Sequence, residues 1–243
     1  MYNIICLKWG DKYGPHYVNR LYNQCRKFIN VPFTFYCVTD NNEGLNPNIH
    51  ILDITPFAAR EGKWSGKVFT FEKISVLSSN TFNEKGKCIL FDLDILILND
   101  LTEYLRSLNT RNPVFINNSW SDPKNVAKNY GKITCHINSS FIVSNKNMFP
   151  VYKKINSHYD YFSMKFSSLD RTINYNCMDL ISFHDDNVVY AYSFGAKYPE
   201  DMEPYKRRDN YKLCLFNTSH GRGVELEDAT GWAKDYWESF DGS

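Results

Sequence analysis

The segment from Cys88 to Leu98 is an almost unbroken apolar run, CILFDLDILIL, that carries two aspartates at positions 92 and 94. Such a run is typical of a buried strand, so Asp92 and Asp94 are flanked by residues that belong in the protein interior. Burying an unpaired carboxylate is costly unless the group finds a cation or a set of hydrogen-bond donors. The segment therefore predicts a ligand site at the end of a strand.

The D-x-D triplet alone is a weak signal, because two aspartates at this spacing arise by chance about once in a chain of this size. Its apolar setting is what indicates a function. At the carboxyl end of a parallel strand, where open α/β sheets bind ligands, a divalent ion is the expected partner of two carboxylates. Oxygen ligands suit Mn²⁺ or Mg²⁺, which in turn bind phosphate oxygens. The alternative is purely structural, with both aspartates capping the turn after the strand.

Strand-like and helix-like patterns alternate along the chain. Strands are predicted at 2–9, 33–39, 49–54, 88–91, 114–117 and 139–143, and helices at 15–30, 68–77, 101–108 and 149–166. This alternation predicts an α/β fold with a mainly parallel central sheet and helices on both faces. The C-terminal part is less periodic and is interpreted as a variable region and tail, so residues 1–243 are expected to form a single domain.

Composition argues against several classes of function. With 28 basic and 27 acidic side chains the net charge is +1, so no overall field favours binding to nucleic acid or an anionic membrane. The most apolar run is interrupted by two aspartates, so no membrane span is expected. Seven scattered cysteines and the absence of a basic-then-apolar leader predict reduced thiols and a cytoplasmic location. A small ligand is the better expectation, and the 16% aromatic content suits stacking on nucleobases and sugars.

Four segments carry a resemblance to a known family: ILFDLDILILNDL at 89–101, HINSSF at 136–141, CMDLI at 177–181 and NTSHGRG at 217–223. They resemble motifs of the glycosyltransferases with the A-type fold, especially the glycogenin-like, family-eight-type enzymes. The first is similar in spacing and flanking residues. In the second, Ser140 replaces a usual glycine, and in the third, Leu180 replaces a glutamine. The resemblance extends from Tyr2 to about Trp232.

The resemblance implies transfer of a sugar from a UDP-sugar, with retention of configuration, to a carbohydrate, protein or lipid-linked acceptor. Residues 1–100 would form the nucleotide-binding half, and residues 101–243 the acceptor-side half and tail. Asn138 and Asp179 would face the sugar, with Asp179 assisting at the anomeric carbon as nucleophile or by orienting the sugar. The family's Lys-Pro-Trp after the histidine is absent, so Lys67 or Arg222 is expected to neutralise the diphosphate.

The expected metal ligands are Asp92, Asp94 and, by the resemblance, His220. A cation held by two carboxylates and an imidazole would stabilise the charge that builds on a departing nucleoside diphosphate. Gly221 and Gly223 allow the backbone to approach a phosphate closely. The full predicted donor-binding set is Trp9, Asp11, Tyr13, Asp40, Lys67, Asp92, Leu93, Asp94, His220, Gly221, Arg222 and Gly223.

Two other interpretations of the D-x-D segment stay open. The motif also resembles the aspartyl nucleophile of haloacid-dehalogenase phosphatases, although that motif usually opens a chain and has Thr or Val where Leu96 stands. A nucleotide-sugar-binding module without turnover fits the altered Asp-Leu pair and the missing Lys-Pro-Trp. GKWSGKV at 62–68 is not a phosphate-binding loop, because three residues rather than four separate its glycines and Val68 replaces the Ser or Thr. The basic run at 206–208 is interpreted as a solvated loop.

Overall fold

The computed structural model describes residues 1–56, 70–79, 81–82, 86–109, 111–118, 135–145, 148–166, 168–193, 203–216 and 224–242. The strands are β1 (Tyr2–Lys8), β2 (Phe33–Thr39), β3 (His50–Asp53), β4 (Lys87–Phe91), β5 (Ile95–Ile97), β6 (Val114–Asn117), β7 (Ile137–Ser144), β8 (Ser182–Phe183), β9 (Val189–Ala191) and β10 (Leu213–Leu215). The helices are α1 (Pro15–Phe28), α2 (Glu72–Ser78), α3 (Thr102–Ser107), α4 (Phe149–Asn156), α5 (Tyr159–Phe166), α6 (Leu169–Asn176) and α7 (Trp232–Glu238), with a 3-10 turn at Met178–Leu180.

The central sheet of the described residues has seven strands in the order β3-β2-β1-β4-β7-β6-β8. The strands β3, β2, β1 and β4 are mutually parallel, β7 is antiparallel to both of its neighbours, and β8 is parallel to β6. The prediction of an α/β fold with a mainly parallel sheet is therefore confirmed. A second, three-stranded sheet, β5-β10-β9, was not predicted, because the short apolar pieces that form it lie far apart in the sequence.

The central sheet is packed on both faces, and the side chains of β1 show how. Ile4 and Cys6 lie in one apolar cluster with the buried side of α1, whereas Ile5 and Leu7 lie in a second cluster with α2, α4 and α6. This alternation follows from the two-residue period of a strand. Helix α1 meets the first cluster through residues spaced at three and four positions, which is the apolar stripe of an amphipathic helix.

The helical region predicted at 149–166 is two helices rather than one. Helix α4 ends at Asn156 and α5 begins at Tyr159. Ser157 lies at the junction, where its hydroxyl donates to the Lys154 carbonyl and contacts the His158 ring. Because a serine side chain can hydrogen-bond nearby backbone groups in this way, it competes with continued helix, and the apolar period alone does not show the break.

The C-terminal helix α7 packs on the core and does not extend away from it. Trp237 is only 2% exposed and belongs to the same apolar cluster as α1. The Arg20 guanidinium lies 3.9 Å above the Trp237 ring and makes two hydrogen bonds to Asp241, of 2.6 and 2.5 Å. His16 contacts Glu227 at 2.7 Å and also packs against Trp237. The C-terminal helix is therefore held to the core through Trp237 and the contacts of α1 with Asp241 and Glu227.

The Arg20–Asp241 pair gives a prediction about pH and stability. The hydrogen bond from Arg20 lowers the pKa of Asp241, so the pair stabilises the fold above the unfolded-state pKa of about 3.9 and loses this effect as the pH falls. The Asp241 side chain is 58% exposed, so Asp241→Asn is expected to lower the free energy of unfolding by at most about 1 kcal/mol at neutral pH. Urea denaturation should show this difference shrinking progressively as the pH is lowered below about 4. Glu238→Gln, on the exposed side of α7, is the control.

All seven cysteines are free thiols, and six of them are buried, as expected for a chain without disulfides. Among the helices of the described residues, none is both long enough and apolar enough to cross a bilayer.

Candidate functional site

Several of the predicted residues follow the strands of the central sheet at one edge. Trp9 follows β1, Asp40 follows β2 and Asp92 follows β4, and these three strands are parallel. Their carboxyl ends therefore meet, which is where ligands bind in open α/β sheets. The start of β7 lies at the same edge, because β7 runs antiparallel to β4 and the Asp92 amide donates to the Ser140 carbonyl at 2.8 Å.

A register shift in β7 accompanies this edge. Val114 of β6 lies opposite Val143, but Ile116 lies opposite Asn138, so β7 carries extra residues between these two pairings. Irregularities of this kind change the direction in which side chains point, and they are common beside active sites. Here the extra residues include Ser139 and Ser140, the polar interruption of an otherwise apolar strand. The shift explains how β7 places polar groups next to Asp92.

Among the described residues, Lys73 is the cation that contacts Asp92, and it was not predicted. Its ammonium lies 2.6 and 2.8 Å from the two carboxylate oxygens of Asp92 and 3.3 Å from the Ser139 hydroxyl. The side chain is 9% exposed. Burial acts to lower the pKa of Lys73, but the charges of Asp92 and Asp170 outweigh it and raise the pKa overall. Lys73 is therefore a buried, charged ammonium between two carboxylates.

Asp170, near the start of α6, is the second carboxylate and was also missed. Burial raises its pKa, while the Lys73 charge and a hydrogen bond with Ser139 oppose that rise. Its Oδ1 is buried and has no hydrogen-bond partner among the described residues. A buried oxygen without a donor costs free energy, so a ligand hydroxyl or cation at this position would be stabilising.

Burial and a neighbouring charge both act on the carboxyl group of Asp94. Burial, followed by repulsion from Asp92, raises the pKa of Asp94 to about 7, although Lys73 and Lys12 act in the opposite direction. The Asp94 carbonyl accepts a hydrogen bond of 2.9 Å from the Phe216 amide, which fixes the backbone there. Two carboxylates this close in a poorly solvated place cannot both ionise easily without a cation. Leu93, between them, points into the apolar core at 3% exposure.

The loop after β1 lies next to this pair. Burial raises the pKa of Tyr13, and the negative charges of Asp94, Glu225 and Asp92 add to the rise, so the phenol lies within their field. Lys12 donates to the Tyr13 hydroxyl at 2.7 Å and lies 3.5 Å from Glu225. The structure therefore brings Tyr13 close to the D-x-D segment, as the donor-site prediction requires.

The other residues of the loop are placed differently from one another. The Gly10 amide donates to Asp40 at 3.0 Å, which joins the ends of β1 and β2. Trp9 is half-buried against the second apolar cluster, and Asp11 is exposed. Asp40 thus has a structural contact in addition to its predicted ligand role, and roles for Trp9 and Asp11 stay predictions.

The two residues predicted to face the sugar lie in different surroundings. Asn138 is 7% exposed on β7, and its Oδ1 accepts from the Ser140 amide at 2.9 Å, beside the Asp92 region. The Asp179 side chain is 72% exposed in the 3-10 turn after α6 and lies 3.4 Å from the Lys154 ammonium. No contact among the described residues joins Asp179 to Asp92 or Lys73, and its catalytic role stays a prediction.

The remaining predicted site residues lie outside the described part of the chain: Lys67, His220, Gly221, Arg222 and Gly223. Within the described residues no group of three or more His, Cys, Asp or Glu side chains is arranged to hold a metal ion. The chemistry of Asp92 and Asp94 nevertheless fits a hard divalent ion, because both offer carboxylate oxygens and Asp94 is destabilised by its neighbour's charge. A cation bound by Asp92 would share that carboxylate with Lys73, which contacts both of its oxygens. The roles of Asp92 and Asp94 as metal ligands stay predictions.

One of the two missed residues left a signal in the sequence. Lys73 lies in FEKISVL, between Phe71 and Ile74, both of which are buried in the same apolar cluster. A lysine on the apolar side of a helix is rarely buried without a partner. Asp170 left no comparable signal, because an acidic residue in the first turn of a helix is ordinary.

Comparison with known proteins was informative only at the level of structure. No family model matches the chain, and no curated protein matches it. An active-site mutant of the galactosyltransferase LgtC is 13% identical to this chain, with a TM-score of 0.64. The match covers 99% of this chain and 95% of that one.

Two further solved structures agree. Mouse xyloside xylosyltransferase 1 is 13% identical, with a TM-score of 0.53, over 90% of this chain and 98% of that one. The glycosyltransferase GlyE of Streptococcus pneumoniae TIGR4 is 13% identical, with a TM-score of 0.61, over 100% of this chain and 60% of that one. At this identity the likeness shows the fold alone. The chain therefore has the A-type fold of these glycosyltransferases.

Proposed function

We propose that this protein is a metal-dependent glycosyltransferase that moves a sugar from a UDP-sugar to an acceptor, with retention of configuration. One observation carries the proposal: the half-buried pair Asp92 and Asp94, beside the buried Lys73, lies at the ligand-binding edge of a sheet with the glycosyltransferase fold. This combination supports a site for a divalent ion and a diphosphate. The acceptor is a carbohydrate, a protein or a lipid-linked group.

Departure of a nucleoside diphosphate places negative charge on a phosphate oxygen. A bound Mn²⁺ or Mg²⁺, held by Asp92, Asp94 and His220, would supply Lewis-acid stabilisation of that charge. Lys73 adds a second positive charge that the chain itself provides, because its ammonium already lies within hydrogen-bonding distance of Asp92. We propose for Lys73 the same part for which Lys67 or Arg222 was predicted, and those two residues lie outside the described part of the chain.

The sugar end of the donor is assigned to the groups around Asp170. Its buried Oδ1 has no partner among the described residues, and Ser139 and Asn138 lie on the neighbouring strand. These groups offer both donors and acceptors for sugar hydroxyls. The proposed site is built from both halves of the predicted single domain. Lys73 and Asp92 belong to residues 1–100, and Asp170 and Ser139 belong to residues 101–243.

Thermal unfolding with nucleotides tests the donor site. UDP with Mn²⁺ is expected to raise the melting temperature, because a ligand that binds only the folded state stabilises it by about 2.7 kcal/mol at 100 times its Kd. UDP without a divalent ion, and Mn²⁺ with uridine, should have little effect. CDP, GDP and ADP with Mn²⁺ are the matched controls for the base.

Three outcomes would contradict parts of this proposal. No response to any nucleoside diphosphate, together with hydrolysis of a phosphomonoester, would favour a haloacid-dehalogenase-like phosphatase. A UDP response without cleavage of any UDP-sugar would favour a nucleotide-sugar-binding module. A product with inverted configuration at the anomeric carbon would contradict retention but leave the transferase assignment intact.

A further inference from the structure

A group of aromatic side chains lies beside the three-stranded sheet, after the ends of β9 and β10. Phe216 follows β10, and its amide is hydrogen-bonded to the Asp94 carbonyl. The ring of Tyr192 stacks on the ring of Phe216 at 4.3 Å, and Tyr205 and Trp232 contact Tyr192 at 5.3 and 5.9 Å. We call Tyr192, Tyr205, Phe216 and Trp232 the aromatic platform.

The platform has a buried layer and an exposed layer. Phe216 and Tyr192 are 1% and 3% exposed, whereas Tyr205 is 47% exposed and Trp232 is half-buried. The Trp232 indole donates to the Tyr205 carbonyl at 2.9 Å, so the two outer rings are held together. The buried rings thus fix the outer rings to the backbone of Asp94, and the outer rings present flat apolar surface to solvent.

Tyr205 adopts a backbone conformation that is unfavourable for its residue type. Its φ is +63°, in the left-handed region, which a bulky side chain rarely occupies. Its amide donates to the Tyr192 carbonyl at 2.7 Å, a contact that holds the turn in place. Strained residues of this kind cluster at ligand-binding sites, where the fold maintains them at a cost in stability. A tyrosine rather than asparagine or glycine at this position therefore indicates a use for the ring.

Among the described residues, the charged groups closest to the outer rings are paired. Arg207 lies 5.6 Å from the Trp232 ring and is hydrogen-bonded to Asp209 at 2.7 Å, and Lys206 is paired with Glu203 at 3.0 Å. These described groups carry no net charge, which does not favour a phosphate or an anionic lipid. The area of two exposed rings is also far smaller than the roughly 800 Å² that each partner buries in a stable protein interface. A neutral ligand with flat apolar faces and polar edges fits better.

We propose that the outer rings of the aromatic platform, Tyr205 and Trp232, bind the sugar acceptor by stacking against an apolar face of a sugar ring. This inference rests on the proposed glycosyltransferase function and specifies its acceptor as a carbohydrate rather than a protein or lipid surface. The hydroxyls at the sugar's edge would meet the Arg207 guanidinium, whose contact with Asp209 among the described residues uses only its Nε donor. The Phe216 amide, hydrogen-bonded to the Asp94 carbonyl, connects the platform to the backbone of the proposed donor site.

Saturation-transfer NMR tests the acceptor site with defined neutral disaccharides: lactose, maltose, cellobiose, xylobiose and chitobiose. Each is measured with the full chain in the presence of UDP and Mg²⁺. The variants are Tyr205→Asn and Trp232→Leu, and the matched control is Tyr161→Asn, which removes a tyrosine of similar exposure, 51%, from α5. Asparagine tolerates a positive φ, so Tyr205→Asn should keep or raise the melting temperature while it removes the ring.

At least one disaccharide is expected to receive saturation from the wild-type chain. This transfer should fall about fivefold or more in both platform variants and persist in the control. Absence of transfer to all five sugars, or equal transfer in wild type and Tyr205→Asn, would overturn the acceptor site. The acceptor site would also be overturned if light scattering showed a dimer that is lost in Tyr205→Asn and Trp232→Leu while no sugar receives saturation. The UDP-dependent melting shift in the same samples separates the two proposals: its absence contradicts the donor site, whereas its presence without sugar contact contradicts only the platform.

Discussion

Asp94→Asn is expected to make the free protein more stable and, at the same time, unable to bind UDP with Mn²⁺. The Asp94 carboxyl is buried next to Asp92, which raises its pKa to about 7. An acid with a raised folded-state pKa destabilises the fold when it is charged, at about 1.4 kcal/mol per pKa unit. The neutral amide removes this repulsion, so we expect a gain of about 1–4 kcal/mol in the free energy of unfolding near pH 8.

Asp92→Asn should behave in the opposite way in the free protein. Asp92 is the close partner of the buried Lys73, and removing one member of such a pair leaves an uncompensated charge. We expect Asp92→Asn to lower the free energy of unfolding and also to lose the UDP response. Asp228→Asn, an exposed carboxylate, is the control and should change neither quantity. If Asp94→Asn binds UDP and Mn²⁺ as the wild type does, the metal site does not include Asp94.

Lys73→Met is expected to have the largest effect on stability of any single substitution in the site. It replaces a buried ammonium with an apolar chain of similar length and leaves Asp92 and Asp170 without their shared cation. Loss of one partner of a buried charge pair costs about 3–5 kcal/mol. If the variant still folds, the turnover number should also fall about 100-fold or more, the effect of removing one preorganised charge from a developing anion.

A double variant and two controls separate these effects. Lys73→Met combined with Asp92→Asn should be more stable than Lys73→Met alone, because the unpaired carboxylate is gone. Lys73→Arg should keep much of the activity lost in Lys73→Met, since it keeps the charge. Lys87→Met removes a lysine whose ammonium contacts the Leu105 carbonyl, away from the site, and should leave turnover unchanged. Equal turnover in Lys73→Met and wild type would exclude Lys73 from catalysis.

The fold was largely predictable because local patterns determine it. The strands β1, β2 and β4 are short apolar runs bounded by turn residues, and α1 shows a clear apolar stripe, so their types and order follow from the sequence. The second sheet was not predictable, because β5, β9 and β10 are three residues each and gain their stability only from pairing across the chain.

The site was predictable only where its residues stand out from the sequence immediately around them. Asp92 and Asp94 are conspicuous because they interrupt an apolar strand. Lys73 and Asp170 come from two helices on opposite sides of the D-x-D segment in sequence, and only the packing of α2 and α6 against the sheet brings them together. Asp179, chosen by motif resemblance, is exposed within the 3-10 turn that follows α6, and its catalytic role stays a prediction.

The hydrogen bond between the Phe216 amide and the Asp94 carbonyl has a consequence for how the protein matures. It joins two segments that are far apart along the chain, and the pairing of β5 with β10 adds further hydrogen bonds between them. Contacts of such long separation form slowly, since the intervening chain must be ordered first. During synthesis on a ribosome, the strands of the central sheet emerge well before β10. Metal and nucleotide affinity would therefore be acquired last, and a nascent chain stalled before residue 213 would be compact but unable to retain either ligand.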